Sequence, residues 1–117
     1  MRLTGKSLKD FKKWLDNEFD VDEKPIRFYQ DHADVETYAS EHFEILPFSM
    51  QYGVLVDWFF SVSYPININL IEYGFDADKT IYKCEVTIGF RDVGFFENNT
   101  QARKKAIEKA NEIYNNR

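Results

Sequence analysis

A single cysteine, Cys84, rules out an intrachain disulfide. Two histidines ten positions apart, His32 and His42, with no cysteine near either, supply no zinc ligand set at motif spacing. The five glycines stand singly, so no phosphate-binding loop, dinucleotide fingerprint or nucleophile elbow can be built from them. Calcium loops started at Asp16 or Asp76 fail too: Val21 and Ile81 fall where glycine is required, and Arg27 and Thr87 where the bidentate glutamate belongs. No apolar run reaches membrane-spanning length, and the opening MRLTGKSLKD has basic residues without the apolar stretch of a signal peptide, so a cytosolic location is expected. With no constellation that meets the requirements of a catalytic site, the chain is expected to be a non-enzyme without metal or cofactor.

What is present is aromatic and charged. Eleven Phe, seven Tyr and two Trp in 117 residues argue for a packed core in one domain, 1–117, and against disorder. Charge is segregated along the chain. Residues 1–13 hold five basic side chains against one acidic (net +4), and 14–48 hold two against ten (net −8). Residues 49–100 hold three against seven (net −4), and 101–117 five against two (net +3). An overall charge of −5 repels nucleic acid at long range and suits a basic partner surface.

The ending TQARKKAIEKANEIYNNR reads as a helix capped by Asn99 or Thr100. Ala102, Ala106, Ala110 and Ile113 form its buried stripe, widened by Ile107 and Tyr114. Three alanines at i, i+4 and i+8 let the helix lie close on a sheet. A first helix is expected from Leu8 to Phe19, capped by Ser7, with Asp10 as its capping-box partner and Leu8, Phe11, Leu15 and Phe19 inward. The segment DNEFDVDE is expected to be its acidic exit, Ile26–Tyr29 a short extended piece, and Asp34 the cap of a second helix carrying Val35, Tyr38, Ala39, His42 and Phe43 on one face. In SMQYGVLVDWFFSVSY both periods fit. A helix capped by Ser49 and stopped by Pro65 is preferred, because Gly53, Asp57 and Ser61 then fall in one narrow stripe. Strands are predicted from Ile66 to about Tyr73 and over 80–91, joined by a turn at 74–79, with Tyr82, Cys84, Val86, Ile88 and Phe90 alternating on one face and Cys84, Val86 and Ile88 inward. Residues 91–98 are read as a link. The fold class is thus α+β, an antiparallel hairpin covered by helices.

Three stretches, TGKSLKDFKKWL, LPFSMQYGVLVDWFFSV and ARKKAIEKANEIYNNR, resemble a group of small bacteriophage and prophage proteins with no established activity. In that group an Asp and a C-capping Gly usually close the middle segment; here Phe60 and Ser63-Tyr64-Pro65 stand there. The resemblance implies a mobile-element accessory protein working in a bacterial cytosol. Such a protein would bind a host protein with a basic surface, as an inhibitor of a nucleic-acid-handling defence enzyme such as a CRISPR effector. The candidate docking residues are the acidic run Asp16, Glu18, Asp20, Asp22 and Glu23. A second likeness is to double-stranded-RNA-binding domains, a fold of order α-β-β-β-α whose last helix opens with basic residues before alanines. On that alternative Arg103, Lys104, Lys105 and Lys109 contact RNA or DNA, and a strand at 50–62 would complete the sheet; the pI near 5.0 counts against it.

Overall fold

The computed structural model describes residues 3–19, 26–30, 33–37 and 39–117, with 18–19, 26–30 and 33–37 described by backbone alone. In chain order the elements are α1 (Gly5–Phe19), β1 (Ile26–Gln30), β2 (Ala33–Thr37), α2 (Ala39–Phe43), α3 (Phe48–Ser61), β3 (Ile66–Asp76), β4 (Lys79–Ile88), β5 (Arg91–Phe96) and α4 (Asn99–Asn115). β1 and β2 form an antiparallel pair, and β3-β4-β5 a three-stranded antiparallel sheet on which α4 packs. This is an α+β fold.

The main sheet is built on Ile66↔Ile88 and Ile68↔Val86 pairs, so the inward faces of β3 and β4 coincide. Cys84, Val86 and Ile88 are buried, as the alternation predicts. Against them lie Ala102, Ala106 and Ala110, all fully buried, whose small side chains permit the close helix–sheet approach. α3 touches the sheet chiefly through β3 and sends Leu55, Trp58 and Phe59 into the core. There Trp58 meets Phe11 of α1 at 5.5 Å between ring centroids and Tyr114 of α4 at 4.9 Å. Edge-on and tilted contacts of this kind add to the area they bury.

Several expectations are corrected. Residues 91–96 are not a link but a third strand, paired with β4 from Cys84↔Phe96 to Ile88↔Arg91. The hairpin turn is not 74–79. β3 continues past a bulge at Tyr73, and the reversal is made by Ala77 and Asp78, both at left-handed φ (48° and 66°) as a tight hairpin turn demands. Residues 33–37 are not helical: they pair with 26–30 from Gln30↔Ala33 to Ile26↔Thr37, and the helix begins only at Ala39. Cross-strand pairing of β-branched Val35 and Thr37 overrides the helical spacing there. The expectations at His32 and Tyr38 lie outside the described residues.

Helix caps also moved. α3 starts at Pro47, whose carbonyl accepts from Met50 N and Gln51 N at 3.0 Å, so Ser49 lies inside the helix. α4 is capped by Asn98, whose side chain accepts from Gln101 N at 2.8 Å, while Gln101 reaches back to Glu97 N at 3.1 Å. Ser7 is not a cap either. It is a fully buried residue within α1, and the α1 start is satisfied from α4: Ser7 N donates to Asn115 Oδ1 at 2.8 Å and Thr4 N to Asn111 Oδ1 at 3.0 Å. The Ser7 hydroxyl also bonds Asn111 Oδ1, and Asn115 Nδ2 donates to the Thr4 carbonyl at 2.9 Å.

Candidate functional site

Of the acidic docking candidates, Asp16 has a structural task. Its carboxylate accepts from Ser40 N at 3.0 Å and Ser40 Oγ at 3.1 Å, capping the first turn of α2 from a different helix. Asp16 and Glu18 also lie within α1, not in an exit loop. The Glu18 side chain and Asp20, Asp22 and Glu23 lie outside the described residues.

The basic candidates are brought together on α4 but are mostly engaged. The Arg103 guanidinium stacks 4.9 Å from the centre of the Tyr52 ring on α3. Lys105 pairs with Glu108 at 3.6 Å and Lys109 with Glu112 at 3.4 Å. Both are i,i+3 pairs on the exposed side of α4, whereas the i,i+4 neighbours Lys105/Lys109 and Glu108/Glu112 carry like charges. Among the described residues only Lys104 of the four has no intramolecular charge or ring partner, and it sits beside Glu97 and Gln101 at the helix start. Within the described residues no group of three or more His, Cys, Asp or Glu side chains could hold a metal ion, and Cys84 is buried.

The surface feature that the sequence did not signal is apolar. Phe60, at the end of α3, is 71% exposed, and Phe90, in the turn between β4 and β5, is wholly exposed. Together they flank an open concavity of ≈ 650 Å³ whose lining includes Tyr64, Pro65, Ile88 and Arg91. Its walls are held rigidly. Tyr64 N donates to Phe59 O at 2.8 Å and Ser63 N to Phe60 O at 3.1 Å, with Ser63 at φ 76°. That is the Schellman closure of α3, with serine where glycine is usual. On the other side Gly89 N donates to Pro65 O at 2.8 Å, fixing the β4–β5 turn beside the start of β3. Exposed Asp57, one turn before Phe60, and exposed Asp92, next to Arg91, add charge nearby. The strand expected over 80–91, with Phe90 on the face of Cys84, Val86 and Ile88, is corrected: β4 ends at Ile88, Gly89 at φ 60° turns the chain, and Phe90 faces solvent, as Tyr82 largely does at the other end of β4.

No family model, curated protein or solved structure matches the chain.

Proposed function

We propose that this chain is a non-catalytic docking protein that binds another protein through the Phe60–Phe90 concavity. The exposure of two phenylalanines across one rigid apolar hollow carries the reading. Monomeric proteins rarely leave contiguous apolar surface in water, and rigid aromatic anchors supply much of the energy of protein–protein interfaces. The net charge of −5, with Asp57 and Asp92 nearby, suits a partner that presents an apolar side chain within a basic surface. The resemblance to phage accessory proteins supports a bacterial host protein as that partner, with a nucleic-acid-handling defence enzyme as the class its charge fits.

Capture from a bacterial lysate, with and without nuclease, tests this. A stoichiometric protein should be retained after nuclease treatment and lost with Phe60→Ser or Phe90→Ser. Both changes are at exposed positions, so folding should survive them. Retention unaffected by either change would refute the docking site.

One observation favours a second reading, a small RNA- or DNA-binding module. The strand that this alternative expected at 50–62 is not there, since 48–61 is helix α3; residues 48–115 nonetheless run α3-β3-β4-β5-α4, the element order of the double-stranded-RNA-binding fold, with 91–96 as the third strand. Engagement of Arg103, Lys105 and Lys109 within the protein weighs against it. On this reading nuclease abolishes capture, and Lys104→Glu with Lys105→Glu abolishes it in the same way.

A further inference from the structure

The three helices α1, α2 and α3 do not close on one another completely. They leave a cavity of ≈ 320 Å³ whose apolar walls are Leu3, Leu8, Phe11, Phe43 and Leu55. Protein interiors are packed as densely as organic crystals, so a hollow of this size is more than a missing methyl group or two. It lies at the low end of the volumes that hold small molecules, and apolar walls with a few polar groups are the usual make-up of such sites. The back wall is rigid. The buried Phe11 ring meets Phe43 edge-on at 4.9 Å between centroids and Trp58 at 5.5 Å, with Trp14 at 6.1 Å. Gln51 Nε2 donates to the Phe43 carbonyl at 3.0 Å, pinning the end of α2 to α3 beside the cavity.

The charged groups of the lining have opposite signs. Lys12 belongs to the basic opening of the chain and Glu44, directly after α2, to its acidic middle. Both are exposed, and neither side chain has an ion pair or hydrogen bond to another described residue. Gln51, oriented by its bond to Phe43, adds an amide oxygen to the same lining. We infer that the cavity binds a free amino acid with a bulky apolar side chain, of the leucine or phenylalanine type. The side chain occupies the apolar hollow, the carboxylate meets Lys12, and the ammonium meets Glu44 and the Gln51 oxygen. An uncharged hydrophobe leaves both charges at the mouth unused. A fatty acid satisfies Lys12 but is repelled by Glu44, and an aliphatic amine meets the converse pair. Unlike charges at one mouth therefore select a zwitterion. The cavity shares no lining residue with the Phe60–Phe90 hollow, so the two can be occupied independently.

Thermal melts and tryptophan fluorescence of the full chain, with L-leucine and L-phenylalanine up to about 10 mM, test the inference. Trp14 and Trp58 both stand against Phe11, so occupancy should shift their emission as well as raise the melting temperature. Analogues of leucine dissect the mouth. Isocaproate lacks the ammonium and isoamylamine lacks the carboxylate, and each should bind about five-fold more weakly than leucine, the size of an exposed charge pair. N-acetyl-leucinamide, which carries neither charge, should bind more weakly still. Glu44→Gln should weaken leucine about five-fold yet leave isocaproate no weaker, and Lys12→Met should weaken leucine alike and leave isoamylamine no weaker. Far-UV circular dichroism of each variant separates a lost contact from a lost fold. No response to leucine or phenylalanine would overturn the inference. So would N-acetyl-leucinamide binding as tightly as leucine, or leucine binding that both substitutions leave unchanged.

Discussion

The Tyr114 hydroxyl donates to Asp10 Oδ2 at 2.5 Å, tying the last turn of α4 to the second turn of α1. Tyr114 is also stacked beneath the Arg117 guanidinium, 4.0 Å from its ring centre, and against Tyr64. Burial foremost, then the bond to Asp10, raises the Tyr114 pKa above 10.0, with Arg117 acting in the opposite direction. The folded chain therefore holds this proton more tightly than the unfolded chain. Its contribution to stability is complete below pH about 10 and is lost as pH rises through the higher folded value. Denaturant melts of wild type and Tyr114→Phe should differ by about 1.5 kcal/mol at neutral pH and converge in strongly alkaline solution. A constant difference across that range would show that Tyr114 ionises no differently in the two states.

Ala106 is fully buried where α4 meets the sheet. Ala106→Asp places an unpaired charge in the buried helix–sheet contact and should destabilise by about 3 kcal/mol or more, visible as a large drop in melting temperature. An unchanged melt would mean that α4 does not dock on the sheet.

Ser63 occupies the left-handed closing position of α3 at φ 76°. Ser63→Gly removes a steric penalty there and should stabilise by about 1 kcal/mol, measured as an upward shift of the urea midpoint with the slope unchanged. A lower midpoint would mean that the serine side chain makes a contact worth more than the strain.

Asp16→Ala should lower stability by about 1 kcal/mol by leaving the first turn of α2 uncapped, and Asp16→Asn should recover most of the loss because an amide oxygen also accepts from Ser40 N. If Asp16 served only as a docking charge, both changes would leave the melt where it was and alter capture alone.

Elements with local signals were legible in the sequence, and elements that depend on distant partners were not. α4 declares itself through its alanine spacing, and α3 through the narrow stripe of Gly53, Asp57 and Ser61 with Pro65 beyond. β4 declares itself through Cys84, Val86 and Ile88. β5 was hidden because Arg91-Asp92-Val93-Gly94-Phe95-Phe96 has no clean alternation and acquires its state only by pairing with β4. The hairpin turn was misplaced because Gly74 and the acidic residues around it suggested a wide loop, whereas Ala77 and Asp78 take the left-handed conformations that Asn-Gly would advertise. Ser7 looked like a cap by local rules, but the acceptors that satisfy the start of α1 belong to Asn111 and Asn115, more than a hundred residues away. The apolar hollow was illegible for the same reason: Phe60 and Phe90 are thirty positions apart and become neighbours only once β3 returns beside α3.

The clasp between Thr4 and Ser7 at one end and Asn111 and Asn115 at the other has a kinetic consequence. Among the described residues these hydrogen bonds close a loop of more than a hundred positions, so they form only after nearly the whole chain has lost its freedom, whereas the β3–β4 reversal joins residues a few positions apart. The order of assembly that follows is hairpin, then β5 and α4, and α1 last. Seen in reverse, α1 is the element that opens first: its amides should exchange with solvent through a partial opening that leaves β4 closed, giving the folded protein an excited state in which Phe11 and Trp58 are parted while the sheet stays whole.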